Sequence, residues 1–275
     1  MIFVEICGGL GNQLFQYAVA RKLKEVGKEV YLDLSWFNKY DEREYLLDRY
    51  PISMEKINGK VWALWKAWNG IPLYRRNHSY LEKSYSLDEE IFKIDNVILK
   101  GYWQSEKYFD DIRTILLKEL TLDYLFLPER CKAIYNEMKQ CCSVAVHIRR
   151  GDYLEERNRA SRGGICTKYY YHKAMEWMRN SSDLDVRFFF FSDDIEWVKE
   201  NYIGRDIFYV DIAAPHEEIW LMSQCRHNII ANSSFSWWGA WLNGNVQQRV
   251  IAPSKWKNGK NIENIYCKDW MQVEG

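Results

Sequence analysis

From Ser143 onward, short apolar runs alternate with helix-length amphipathic stretches, and this rhythm limits what the chain can fold into. Residues 144–148, 186–191, 207–210, 228–231 and 249–252 are strand-length and mostly apolar, the pattern of strands buried on both faces. Between them, 167–179, 217–225 and 235–242 carry apolar residues at helical spacing, with Thr167 a candidate N-cap. Strand and helix in strict alternation build a parallel sheet covered by helices. The N-terminus has the same character. Residues 2–6 read as a buried strand, Gly8 to Gly11 as a tight turn, Asn12 to Gly27 as a helix, and Val30 to Asp33 as the next strand. The expectation is an α/β chain of two doubly wound domains, 1–135 and 136–275, divided near Pro128 and the polar helix after it.

The stretch 36–135 is rich in aromatics and charge and has few turn signals. Within it, 60–76 carries Trp62, Trp65, Trp68 and Tyr74 beside Lys60, Lys66, Arg75 and Arg76. A core helix is the better reading than a helix lying on a membrane, because Gly70 and Pro72 cut the segment short.

Composition excludes several classes. Lys+Arg and Asp+Glu both number 38, so the chain has no basic surplus for a nucleic-acid backbone, although a local site for one diphosphate is allowed. The seven cysteines are odd in number and form no C-x-x-C, which points to free thiols in a reducing compartment and away from zinc. Glu5 interrupts the first apolar run and no basic segment precedes it, so it reads as a strand and not a signal peptide. No run of about 18 apolar residues occurs. A cytoplasmic enzyme is expected, with a peripheral contact at the inner membrane face left open.

Four clusters carry chemistry. Ligands of open α/β sheets gather at the carboxyl ends of strands, and three of the clusters follow Ile148, Phe191 and Ala231. In His147-Ile148-Arg149-Arg150-Gly151-Asp152 one guanidinium can fork onto phosphate while the other pairs with Asp152. Asp193 and Asp194 suggest either a metal site or a carboxylate acceptor for the donor edge of guanine; no further hard oxygen ligands stand at fixed spacing, which favours the base, and one of the two is also a natural helix N-cap. In Asn232-Ser233-Ser234-Phe235-Ser236, hydroxyl residues lead from a strand into a helix, where exposed N–H groups bind anions; a plain Ser-capped helix is the competing reading. Gly8, Gly9, Gly11, Asn12 and Gln13 suggest a dinucleotide turn with Asp33 beyond it, but Leu14 stands where the third glycine belongs. A glycine turn that admits a ligand to the backbone remains.

With these clusters in view, the chain resembles the bacterial α-1,2-fucosyltransferases of glycosyltransferase family 11. The matching stretches are GGLGNQLFQYA at 8–18, GYWQSEKYF at 101–109, HIRRGDY at 147–153, FFFFSDDIEWVKEN at 188–201 and LMSQCRHNIIANSSFSWWGAWLN at 221–243. The resemblance implies a GT-B type fold, two Rossmann-like domains facing across a cleft, acceptor side first and GDP-fucose side second. It implies inverting transfer of fucose to the 2-hydroxyl of a β-galactoside, free or on a lipid-linked glycan, with no metal or other cofactor. Arg149 and Arg150 would neutralise the diphosphate, with Arg150 acting on the leaving group and Asp152 among the donor contacts. His147 and one of Asp193 and Asp194 would contact guanosine, and the Ser233–Ser236 stretch would hold phosphate. Asp33 and Glu106 are the candidate bases. Two other classes compete: a lectin-like module using the aromatics, and an NAD-type oxidoreductase on the N-terminal glycines. The paired arginines and aspartates at strand ends speak against the first, and Leu14 against the second.

Overall fold

The computed structural model describes residues 1–57, 60, 61, 63, 78–182, 184–212 and 214–275. Of the segment 60–76 only Lys60, Val61 and Ala63 are included, so both readings of its tryptophans lie outside the described residues. The chain divides into two compact units, Met1–Leu120 and Thr121–Gly275.

The first unit holds a parallel four-stranded sheet of β1 (Ile2–Glu5), β2 (Val30–Asp33), β3 (Ser79–Leu81) and β4 (Val97–Lys100), in the order β2-β1-β4-β3. Helix α1 (Leu10–Glu25) starts two residues before the expected position, with Gly9 at its N-cap. Gly8 takes φ +76°, and Gly27, at φ +86°, ends the helix as anticipated. Two fully buried amides tie α1 to the loops around it. Gln13 Nε2 donates to the carbonyls of Gly8 (2.9 Å) and Glu44 (2.8 Å), and its Oε1 accepts from Leu46 N–H. Gln16 Oε1 accepts from Cys7 N–H at 2.9 Å, and its Nε2 donates to Gly101 O at 2.9 Å. Each such bond contributes about 1 kcal/mol net, and removing one partner leaves a buried group unsatisfied at greater cost.

After β4 the backbone turns sharply. Trp103 sits at φ +54° with its ring fully buried, a left-handed placement that costs a non-glycine residue roughly 1–2 kcal/mol. Glu82 holds the turn by accepting from Tyr102 N–H (2.8 Å) and Trp103 N–H (3.0 Å). Burial raises the Glu82 carboxyl above its ordinary pKa.

The second unit contains helix α3 (Glu129–Met138), which follows the short α2 (Arg113–Glu119) that closes the first. The division thus falls at 120/121 and not at 135/136. The reason is visible in α3, where buried Cys131 donates to Glu217 of helix α7 (Pro215–Gln224).

The second sheet is parallel and six-stranded: β5 (Cys142–Ile148), β6 (Val186–Ser192), β7 (Ile207–Tyr209), β8 (His227–Ile229), β9 (Val250–Pro253) and β10 (Met271–Val273), ordered β10-β9-β8-β5-β6-β7. All seven residues of β5 are buried, as an inner strand covered on both faces requires. Helices α4 (Glu156–Arg162) and α5 (Lys168–Asn180) lead from β5 to β6, α6 (Ile195–Asn201) from β6 to β7, and α8 (Ser234–Trp241) from β8 to β9. Thr167 caps α5 as predicted, accepting from Tyr170 N–H at 3.3 Å. Strand order reverses between β5 and β8, and such switch points are where open sheets hold ligands.

Candidate functional site

The turn after β5 is built around two arginines backed by three carboxylates. Arg149 Nε (2.9 Å) and Nη2 (2.7 Å) both donate to Asp152 Oδ1, and its Nη1 lies 3.0 Å from Asp193 Oδ2. Arg150 Nε donates to Asp194 Oδ2 at 2.9 Å, and its backbone N–H donates to Asp193 Oδ1 at 2.9 Å. Asp194 is also the N-cap of α6, accepting from Trp197 N–H at 3.3 Å. A Cβ on Gly151 would stand 2.5 Å from Asp193 Oδ2, so only glycine admits the carboxylate at this point. Both aspartates are thus held by guanidinium and backbone N–H groups.

Two aromatic rings complete the frame. The Arg150 guanidinium lies 3.7 Å from the centre of the Trp197 ring, and Lys168 Nζ lies 5.5 Å from the same ring. The Tyr153 ring is approached by Arg149 at 5.8 Å and Arg162 at 5.5 Å, and its hydroxyl donates to Asn232 O at 2.8 Å. Cation–π contact of this kind holds four cations near one another without ion-pairing all of them.

These side chains wall a cavity of about 230 Å³ whose lining includes Arg149, Arg150, Arg162, Lys168, Trp197 and Asn232. Among the described residues no acidic side chain lines it; the aspartates stand behind the arginines. The volume is below the roughly 300–1,000 Å³ of a whole small-molecule site, so it suits part of a ligand. Such a chamber attracts an anion with several oxygens. Arg162, Lys168 and Trp197 were not among the residues the sequence singled out. They carry no local motif, and only the helix starts and ends of α4, α5 and α6 bring them together.

The serine-rich stretch has a different disposition. Asn232 is 4% exposed; its Nδ2 donates to the carbonyls of Arg162 and Trp256, and its Oδ1 accepts from the Cys166 thiol. Ser233 caps α8, accepting from Phe235 N–H at 3.3 Å, and fully buried Ser236 donates to backbone carbonyls. These three side chains bind the protein itself, the Ser-capped helix of the competing reading. Ser234 and Phe235 are half-buried. His147 is 2% exposed, with its ring 5.5 Å from that of Phe235. Burial, aided by the Arg149 charge, lowers its pKa to about 3, so the imidazole is neutral, and its Nδ1 has no hydrogen-bond partner among the described residues.

One further carboxyl belongs to this neighbourhood. Glu218, in the first turn of α7, is raised to about 8 by burial first and then by the charge of Asp193, against a lowering by Arg149. Sequence reading passed over it because Glu217 and Glu218 look like an ordinary acidic helix start.

In the first unit the glycine turn, Asp33 and the 101–109 stretch gather at the carboxyl ends of the adjacent strands β1, β2 and β4. Asp33 is 4% exposed and its Oδ1 accepts from Ser35 N–H at 2.9 Å. Glu106 is half-buried in a single helical turn, 106–108. Gly11 and Gln13 are buried within α1, whereas Asn12 is half-buried and accepts from Gln104 Nε2 at 2.8 Å. Among the described residues no group of three or more His, Cys, Asp or Glu side chains is placed to hold a metal ion. No helix among them is long and apolar enough to cross a membrane.

Comparison with known proteins bears on this site. The chain is 31% identical to an α-1,2-colitosyltransferase of Escherichia coli, covering 100% of this chain and 99% of the relative. It is 26% identical to galactoside α-(1,2)-fucosyltransferase 1 of Rattus norvegicus, covering 86% of this chain and 62% of that protein. Among solved structures, E. coli ADP-heptose heptosyltransferase II superposes with a TM-score of 0.51 at 12% identity, covering 99% of this chain and 89% of that one. That likeness speaks to fold alone: an α/β architecture with two parallel sheets. The family model described as glycosyl transferase family 11 matches residues 74–274, a span that includes the arginine turn, the aspartate pair and the serine-rich helix start. The chain therefore belongs to glycosyltransferase family 11, the family of the α-1,2-fucosyltransferases.

Proposed function

We propose that the protein transfers L-fucose from GDP-fucose to the 2-hydroxyl of a β-galactoside, with inversion and without a metal ion. The observation that carries this reading is the cavity walled by Arg149, Arg150, Arg162 and Lys168 with no acidic side chain in its lining. Departure of GDP builds negative charge on the β-phosphate while the sugar gains oxocarbenium character. Cations fixed before the reaction stabilise that charge as it forms. Asp193 and Asp194 are engaged by the arginines, which favours a positioning role for them over cation binding.

In this reading the second unit binds the donor and the first receives the acceptor. The incoming hydroxyl attacks from the face opposite the leaving group and loses its proton to a carboxylate, for which Asp33 at the end of β2 is the first candidate and Glu106 the second. A galactoside at the end of a lipid-linked glycan is the acceptor form that would bring the chain to a membrane face. A second donor is favoured by one finding, the similarity to a colitosyltransferase. Colitose is fucose without its 3-hydroxyl, so the two donors share the same diphosphate and base. Family membership leaves the lectin-like alternative without support.

The test is GDP release from GDP-fucose in EDTA, with and without lactose, and with GDP-colitose in parallel. Lactose-stimulated release from GDP-fucose is expected. GDP binding without transfer to any galactoside would overturn the acceptor, faster release from GDP-colitose would change the donor, and absence of GDP binding would overturn the reading altogether.

A further inference from the structure

The carboxyl edge of the first sheet carries an arrangement that the donor chemistry does not use. Gly8, with its positive φ, carries no side chain to hold its neighbours away. Two side chains close on it: Asn12 Nδ2 lies 3.0 Å, and Tyr102 Cε1 3.7 Å, from the point where a Cβ on Gly8 would stand. Gln104 Nε2 donates to Asn12 Oδ1 at 2.8 Å, across 92 residues of chain, so the amide is oriented with its N–H₂ end toward Gly8. Tyr102 is 40% exposed, among the more exposed large rings of the first unit, and it stands beside a fully buried neighbour.

The backbone is strained to achieve this. The left-handed turn at Trp103 sends that indole inward and leaves Tyr102 outward, and the buried Trp103 Nε1 meets no hydrogen-bond acceptor among the described residues. Glu82 holds both N–H groups of the turn, and Gly101 has no room for a side chain, since a Cβ there would meet Glu82 Cβ at 2.4 Å. Strain of this kind persists where the surroundings over-determine it, and it clusters at ligand clamps. Here it fixes an aromatic face beside an oriented carboxamide.

We infer that Tyr102 is the stacking platform for the acceptor pyranose, that Asn12 Nδ2–H₂ donates to one of its hydroxyls, and that Gln104 is the residue positioning Asn12. This inference rests on the galactoside reading above. The chemistry fits that sugar class. The axial 4-hydroxyl of galactose leaves the C–H bonds at C3, C4 and C5 on one face, an apolar patch that packs on an aromatic ring, while the equatorial hydroxyls at the rim take amide donors.

The experiment compares the parent chain with Tyr102→Ala, Tyr102→Phe and Gln104→Leu. Lactose KM and kcat are measured at saturating GDP-fucose, together with the GDP Kd by calorimetry and the melting temperature. Tyr102→Ala raises the lactose KM about tenfold, one decade of affinity, and leaves the GDP Kd unchanged. Tyr102→Phe, which keeps the ring, restores the KM to near the parent value. Gln104→Leu raises the lactose KM by several-fold with the same GDP Kd, a split that mere loosening of the fold would not give. An active parent whose lactose KM is the same in Tyr102→Ala overturns the platform and leaves the proposed function standing. A rise in GDP Kd matching the rise in lactose KM also overturns it. A parent that transfers to no galactoside overturns the proposed function and the galactoside platform with it.

Discussion

Replacing Arg150 by alanine removes three things at once, and they separate by assay. The bond from Nε to Asp194 Oδ2 at 2.9 Å and the 3.7 Å contact with the Trp197 ring concern the free protein. The Arg150 side chain is 22% exposed, so its ion pair is worth at most about 1 kcal/mol after solvent screening. The ring contact adds about 0.5–1 kcal/mol. Arg150→Ala should therefore cost roughly 1–2 kcal/mol of stability and still fold. The third loss is a cation on the cavity wall. A charge-assisted hydrogen bond to phosphate contributes about 1.5–3 kcal/mol, or roughly 10- to 150-fold in Kd. Calorimetric titration with GDP in EDTA, beside a thermal melt, reads both effects. Arg150→Lys keeps the charge but loses the flat stacking group and the fork, so it should recover only part of the affinity. An Arg150→Ala chain that folds and binds GDP within twofold of the parent would refute the assignment of the cavity to the diphosphate.

Two further residues test the same neighbourhood. Gly151→Ala places a methyl group 2.5 Å from Asp193 Oδ2, so the carboxylate must leave Arg149 or the Arg150 N–H; a folded protein whose GDP Kd is raised about three- to tenfold is expected by calorimetry. Glu218, with a folded pKa of about 8 against an ordinary 4.5, is largely protonated at neutral pH, and a diphosphate bound nearby raises it further. GDP binding near pH 8 should take up protons, seen as a binding enthalpy that depends on the buffer, and Glu218→Gln should abolish the effect. Because this pKa is raised on folding, the stability it confers is complete below the ordinary carboxylate value and lost as pH climbs through about 8; Glu218→Gln should flatten that decline in chemical denaturation.

Most strands and helices of the second unit were legible because β5 and β6 are apolar runs bounded by polar turns, and Thr167 caps α5 where its side chain was expected to; helix α4, almost wholly polar, was not read. Strand β10 was missed. Its three residues carry no periodicity of their own and form a strand only by pairing with β9. Site chemistry was legible by residue type and less so by direction. Arg149, Arg150, Asp193 and Asp194 meet in one cluster, but nothing local says that the aspartates stand behind the arginines. Asn232 and Ser236 have the right groups for phosphate, yet the start of α8 at Ser234 turns Ser236 onto the sheet, where its hydroxyl meets backbone carbonyls. Arg162 and Lys168 lie at a helix end and a helix start, and that juxtaposition has no linear signature.

The carboxylates behind the arginines have a kinetic consequence. Arg149 and Arg150 face Asp152, Asp193 and Asp194 at 2.7–3.0 Å, so these five groups sum to −1, and Arg162 and Lys168 on the same cavity wall bring the total only to +1, a small charge from farther out than the roughly 8 Å screening distance of physiological salt. The chain as a whole carries no net charge. A nucleotide sugar is therefore not drawn in from a distance, and its rate of arrival should change little between low and high ionic strength. The cations act at contact, where the cavity wall presents them without their counter-charges, and discrimination for the diphosphate lies in how long it stays.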